Sequence, residues 1–356
     1  SYFPIQGGDF GSTLTENKGT DADTVDMVQA FEAKGYSLNP TVQNMYLGMK
    51  EDFKSEAVLP WGVTTYYRAT SPAIGGTFTS LEPSQEKLDK AEPTWKDSMN
   101  DYNVMIVTIA RAAGENTNYT PGEEGVNPEQ NLNQADPLGL SDTERATIDA
   151  AVKAKEQNGG KVIVLLNNAS AMEIDELKNN DGIDAMLEVG IPGGYGFYGV
   201  ADVLSGDANP SGHLADTYAV DNSAAPAAQN YGDYEWTNAD SDYSINSEIV
   251  EAESIYTGYK YYETRYADTV LGQGNASDSV GSSTGGAWTY DSEVSYPFGY
   301  GLSYTTFTQT LDSLNVDLEK KTVTAEVTVT NTGDVAGKDV VQLYASTPYT
   351  DYDKEH

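Results

Sequence analysis

Residues 104–110, VMIVTIA, form an unbroken apolar run. A run of this length with no charged residue is the pattern of a strand buried on both faces. KVIVLLN at 161–167 repeats the pattern, and IDAMLEV at 183–189 reads as a third strand. Between these runs the period changes. In TVDMVQAFEAK at 24–34, Val25, Val28 and Phe31 fall at helical spacing and Gly35 follows as a stop. Ser141 with Glu144 three residues later is a capping box. Leu140, Ile148 and Val152 then fit an apolar stripe, and Gly159–Gly160 end that helix. Residues 171–178 read as helical, and Gly193–Gly194 lead into a short helix over FYGVADVLSG. Strand–helix alternation of this kind predicts an α/β fold with a mostly parallel sheet in an α/β/α sandwich. Ligands of such sheets bind at the carboxyl ends of the strands. Those ends are the loops after Ala110, Asn167 and Val189.

The pattern then breaks. Residues 205–303 form a Gly/Tyr-rich connector, with a low-complexity loop at 272–290. Inside it, EAESIYTGYKYYETRY is dense in aromatics and is expected to pack against other structure. Tyr256, Tyr259, Tyr261 and Tyr262 read as core packing of a junction ahead of a sugar subsite. YPFGYGLSYTTF at 296–307 fits neither a helix nor a regular strand and reads as a tightly packed connector. Beyond Tyr304, period-2 alternation sets in. Val323, Ala325, Val327 and Val329 share one face, Asn331–Asp334 make a turn, and Val340–Tyr344 read as a further strand. This is the start of an all-β sandwich. Such a sandwich takes about seven strands, and three or so fit before His356, so it is expected to be incomplete. The expected organisation is an α/β-sandwich domain over 1–303 and the start of a β-sandwich over 304–356.

Charge and composition narrow the chemistry. The formal net charge of −35 excludes a nucleic-acid footprint and docking on anionic lipid. There is no cysteine, which removes disulfides, thiolate metal sites and cysteine nucleophiles. The histidines are His213 and His356, and no G-x-S-x-G elbow accompanies them. A His-rich metal site is excluded, and no cofactor is expected. Asp and Glu, 55 in number, remain as the carriers of chemistry. No apolar run approaches 18 residues, so no transmembrane helix is expected. No leader is visible at the first residues. A cytoplasmic chain is the working expectation, with a secreted or cell-surface setting as the alternative.

Five segments, in order, resemble glycoside hydrolase family 3, the β-glucosidase and β-xylosidase family. VIVLLNNASAMEI at 162–174 is similar to its V-V-V-L-N-x-G-x-x-x-E strand. PGGYGFYGVADVLSGDANPSGHLADTY at 192–218 is similar to P-G-x-x-G-x-x-x-A-D-V-L-x-G-x-x-N-P-S-G-R-L-P-x-T. Within it, His213 stands for Arg or Lys, and Ala215 for Pro. ESIYTGYKYYET at 253–264 is similar to E-x-I-x-x-G-Y-R-Y-Y-E, with Lys260 for Arg. YPFGYGLSYTTF and VTNTGDVAGKDVVQLY at 329–344 resemble the family's junction and the opening of its fibronectin-III-like domain. The insert at 266–293 resembles the branch in which these domains precede the catalytic barrel, so the barrel is expected after His356.

The resemblance implies a retaining mechanism with two carboxyl groups about 5 Å apart. The nucleophilic Asp belongs to an S-D-W-type segment of the barrel. None of Trp61, Trp95, Trp236 or Trp288 follows Ser-Asp, so the nucleophile is expected to be absent here. The acid/base belongs to R-x-S-G-E-G-x-D, which here reads Arg111-Ala112-Ala113-Gly114-Glu115-Asn116-Thr117-Asn118. Glu115 is therefore the implied general acid/base, with Glu123 and Glu124 of the same loop as alternatives. Arg111, Glu123 and Glu124 are the candidate substrate-binding residues. The implied partners are a β-linked glucoside or oligosaccharide and the barrel of the same gene product. A chain of this kind alone is expected to be inactive. The rival reading is a non-catalytic carbohydrate-binding or partner-binding module, whose unfinished sheet another chain completes.

Overall fold

The structure is a computed structural model. It describes residues 25–49, 82–111, 136–232, 234–235, 247–274 and 279–345, together with the backbone of two short strands between 55 and 66. The chain divides into two compact units, Ser1–Asp207 and Ala208–His356.

The first unit holds helices α1 (Met27–Ala33), α2 (Pro40–Gly48), α3 (Gln85–Ala91), α4 (Trp95–Ser98), α5 (Asp142–Asn158), α6 (Asp175–Lys178) and α7 (Gly196–Ser205). Its strands are β1 (Ser55–Leu59), β2 (Gly62–Tyr66), β3 (Val104–Arg111), β4 (Lys161–Asn168) and β5 (Ala185–Glu188). β1 and β2 form an antiparallel pair. β3, β4 and β5 form a parallel sheet in that order. Register runs from Val104↔Lys161 to Arg111↔Asn168, so β3 and β4 end level with each other.

The three expected strands are therefore present, parallel and joined by helices. Side-chain alternation divides the sheet into two faces. Ile106, Ile163, Leu165 and Leu187 pack with Ala30 and Phe31 of α1 and Phe197, Val200 and Ala201 of α7. On the alternate positions Val162, Val164 and Leu166 are buried. α5 packs on β3 and β4. A second cluster, Met45, Tyr46, Leu88, Trp95 and Ala150, joins α2, α3, α4 and α5.

Local signals set the ends of these helices. Asp26 and Gln29 make a capping box on α1, and Ser141 and Glu144 make the expected one on α5. α5 stops at Gly159, whose φ of +71° is a left-handed value that costs glycine nothing. The helix read over 171–178 is shorter than expected. Only Asp175–Lys178 is helical, with Ile174 preceding it and no side-chain cap. Burial of Met172 and Ile174 holds the preceding residues in an irregular path.

The second unit contains β6 (Tyr218–Ala219), α8 (Pro226–Asn230), β7 (Tyr234–Glu235), β8 (Ser247–Glu248), α9 (Tyr259–Thr269), α10 (Tyr290–Glu293), β9 (Val294–Tyr296), β10 (Phe307–Asp317) and β11 (Thr322–Asn331). The aromatic-dense stretch becomes α9, and Tyr261 and Tyr262 are buried with Ala219, Trp288 and Val294. The junction stretch at 296–301 is stapled to the segment before β6. Leu214 N–H donates to Tyr300 O at 2.8 Å, and Gly299 N–H donates to Leu214 O at 2.8 Å. Gly299 has φ of +80°, and a Cβ there would lie 2.7 Å from Gln342 Nε2.

β10 and β11 form the expected alternating hairpin. Val316↔Val323, Leu314↔Ala325 and Leu311↔Val327 place the apolar residues on one face. That face is open: Leu311 is 58% exposed, Leu314 55% and Val323 54%. The further strand expected over Val340–Tyr344 is not formed. Side-chain bonds from Gln309 to Asp339 and Val340 O tie this segment to β10 instead of a ladder. Val341 and Leu343 are exposed, so no burial favours an extended ladder there.

Candidate functional site

The carboxyl edge of the parallel sheet is where this architecture places ligands. Three side chains stand at the ends of its strands: Arg111 on β3, Asn168 on β4 and Glu188 on β5. Arg111 is 1% exposed. An arginine buried so deeply needs all its donors satisfied. Its Nη1 and Nη2 donate to the two carboxylate oxygens of Glu144 at 2.7 and 2.9 Å. Nε donates to Pro137 O at 2.7 Å, Nη2 to Gly139 O at 2.7 Å, and Nη1 to Ala110 O at 2.9 Å. This is a bidentate, charge-assisted pair in a dry setting.

Glu144 serves two partners. Its Oε2 also accepts from Ser141 N–H at 2.9 Å, closing the capping box of α5. Burial pushes the Glu144 carboxyl up, but Arg111 and the Ser141 N–H outweigh it and hold the group below the usual carboxylate range. The consequence is geometric. Arg111 is the last residue of β3, and Pro137–Gly139 lead into α5. One guanidinium therefore ties the exit from β3 to the entry of α5.

Beside it, Asn167 is fully buried and donates from Nδ2 to Gly190 O at 2.6 Å. Glu188 Oε1 accepts from Gly190 N–H at 2.8 Å. With its amide turned to donate, Asn168 Nδ2 lies 2.8 and 3.0 Å from the two Glu188 oxygens. The turn after β5 is thereby fixed to the end of β4.

Of the candidate residues, Arg111 stands at this edge with its guanidinium turned into the protein. Glu115, Glu123 and Glu124 lie outside the described residues. Tyr256, Tyr259, Tyr261 and Tyr262 belong to the second unit. Sequence reasoning missed Glu144, Asn168 and Glu188 as parts of this edge. The capping box marked Glu144 as a helix-start residue, but nothing local marks a partner 33 residues away. Among the described residues no group of three His, Asp or Glu side chains could hold a metal ion. No described helix is long and apolar enough to cross a membrane.

Comparison with known proteins gives one consistent result. The sequence profile of the glycosyl hydrolase family 3 C-terminal domain matches residues 17–304. Beta-glucosidase A of Butyrivibrio fibrisolvens is 34% identical over 211 residues, covering 55% of this chain and 21% of that protein. A beta-glucosidase of Ruminococcus albus is 29% identical over 286 residues, covering 79% of this chain and 24% of that protein. Among solved structures, beta-glucosidase 3B from Thermotoga neapolitana, in complex with glucose, superposes with a TM-score of 0.59 at 26% identity. That match covers 94% of this chain and 37% of the Thermotoga chain. The chain thus spans about a quarter of these curated relatives and just over a third of the solved one.

Proposed function

Because this chain belongs to glycoside hydrolase family 3, as its C-terminal domain, we propose that it supplies the general acid/base of a retaining β-glucosidase. The substrate class is a terminal β-D-glucosyl residue of a glucoside or oligosaccharide. Glu115 protonates the leaving oxygen, then deprotonates the water that resolves the glycosyl-enzyme intermediate. The nucleophilic carboxylate lies on a barrel elsewhere in the same gene product. The chain alone is therefore inactive.

One observation carries this reading. Arg111 clamps the exit from β3 to the entry of α5 through Pro137, Gly139 and Glu144. The segment with Glu115, Glu123 and Glu124 starts from a fixed base at the ligand edge of the sheet. An acid displaced by 1 Å costs heavily in rate, so a rigid base suits a loop that must present one. Glu123 and Glu124 stand in the reading as substrate contacts or as the acid itself, should Glu115 not be it.

The test is hydrolysis of an aryl β-glucoside by this chain and by the longer gene product. The longer product should be active and this chain inactive. Glu115→Ala in the longer product should lower kcat by about 10²–10⁴, with partial rescue by azide. If Glu123→Ala or Glu124→Ala gives that result instead, the acid is the neighbour. Activity in this chain alone would overturn the division of catalytic groups. A second reading, a non-catalytic binding module, draws on the open apolar face of β10–β11. Inactivity of both products would favour it.

A further inference from the structure

α9 has two covered faces. Tyr261, Arg265 and Asp268, spaced i, i+4 and i+7, are buried. Arg265 pairs with Asp268 at 2.7 Å and its guanidinium lies 5.2 Å from the Trp288 ring centre. At 100° per residue, Tyr259, Glu263 and Tyr266 fall on the opposite side of the helix. A solvated helix face normally carries Lys, Glu and Gln. This one carries aromatic, carboxylate, aromatic.

Other segments of the same unit gather over that stripe. Tyr259 stacks on Phe298 with centroids 4.3 Å apart. Tyr266 meets Tyr290 edge-on at 5.2 Å. Tyr290 donates to Glu263 Oε1 at 2.5 Å. Burial and that bond push the Tyr290 hydroxyl far above the usual phenol range, so it remains a donor. Gln342 lies against Gly299, whose Cβ position would be 2.7 Å from Nε2, next to the Phe298 that stacks on Tyr259. Tyr344 is 57% exposed and donates to Gln342 Oε1 at 2.6 Å, and burial followed by the nearby Glu263 charge pushes its hydroxyl up. Among the described residues nothing bonds Glu263 Oε2 or Gln342 Nε2. The patch thus offers the exposed ring of Tyr344, an acceptor and a donor, with no Lys or Arg among its four members.

We propose that this patch, formed by Glu263, Tyr290, Gln342 and Tyr344, binds neutral pyranose units of an oligosaccharide. Aromatic faces stack on the C–H faces of sugar rings, while carboxylate and amide groups read hydroxyls. None of these four side chains is a cation that would hold an acidic sugar, and a net charge of −35 repels one. This site is separate from the proposed acid/base and does not depend on it.

The experiment titrates this chain with cellopentaose by calorimetry, with oligogalacturonate as the charged control. Saturable cellopentaose binding is expected, with little or none for oligogalacturonate. Tyr344→Ala removes an exposed ring and should weaken binding about tenfold. Glu263→Gln retains an acceptor for Tyr290 and should weaken it several-fold, with an unchanged melting curve in both variants. Absence of saturable binding would overturn the proposal. So would equal binding by folded Tyr344→Ala and Glu263→Gln, or equal affinity for the charged oligosaccharide. Hydrolysis is not the readout, so failure here leaves the catalytic reading standing, and the reverse.

Discussion

Arg111 and Glu144 show what a single buried residue controls. Removing one partner of a buried ion pair leaves the other charge without compensation, at about 3–5 kcal/mol. Arg111→Met should therefore lower stability in urea by about that much, and should release Pro137 and Gly139 from β3. Glu144 also gives a pH signature. Its folded-state pKa lies below its unfolded value of about 4.3. The contribution is fully present above that unfolded value and is lost as pH falls through the folded one. Glu144→Gln removes the titrating group. The stability gap between wild type and Glu144→Gln should narrow as urea melts are taken from pH of about 6 to about 3. A gap that stays constant would mean that the pair is not ionised in the fold.

At the scale of elements, capping and strand alternation account for most of the first unit. α5 begins at a reciprocal box of Ser141 and Glu144 and ends at Gly159. Nothing lies within 4 Å of a Cβ placed on Gly159, so only its left-handed backbone opposes a side chain. Gly159→Ala should cost about 1 kcal/mol net, the backbone strain being partly offset by a stiffer unfolded chain. A shift in the urea midpoint with no change in slope would confirm this. The elements that departed from expectation lack such local signals. α6 has no side-chain cap. Residues 340–344 carry β-branched residues but no paired neighbour, and propensity without pairing does not make a strand.

At the scale of the whole molecule, the two units differ in how well they bury what they carry. The parallel sheet is covered at Val162, Val164 and Leu165, all fully buried. The β10–β11 hairpin presents Leu311, Leu314, Val316 and Val323 more than half exposed on one face. An apolar face of this kind draws hydrophobic partners. The chain should bind the dye ANS in its native state, and Leu311→Thr with Leu314→Thr and Val316→Thr should reduce the fluorescence while leaving the melting curve of the first unit unchanged. Equal fluorescence in the triple variant would place the exposed apolar surface elsewhere.

What the sequence by itself determined was set by neighbours along the chain. The three parallel strands, the α5 capping box and its glycine stop are signals within a few residues, because backbone hydrogen bonding and side-chain periodicity act at that range. The motifs at 162–174, 192–218 and 296–307 resembled family 3, and the profile match over 17–304 bears this out. What only the tertiary structure decided are contacts between residues far apart in sequence. Nothing in Arg111 alone says that its guanidinium turns inward to Glu144, and nothing around Asn168 marks Glu188 as its partner. The tyrosines of α9 read as packing in sequence. Tyr261 and Tyr262 do pack in the core, but Tyr259 and Tyr266, on the other side of the same helix, meet Phe298 and Tyr290 from distant segments. Periodicity says that a side chain faces something. Which distant segment it meets depends on how the packed layers close, and no local pattern records that.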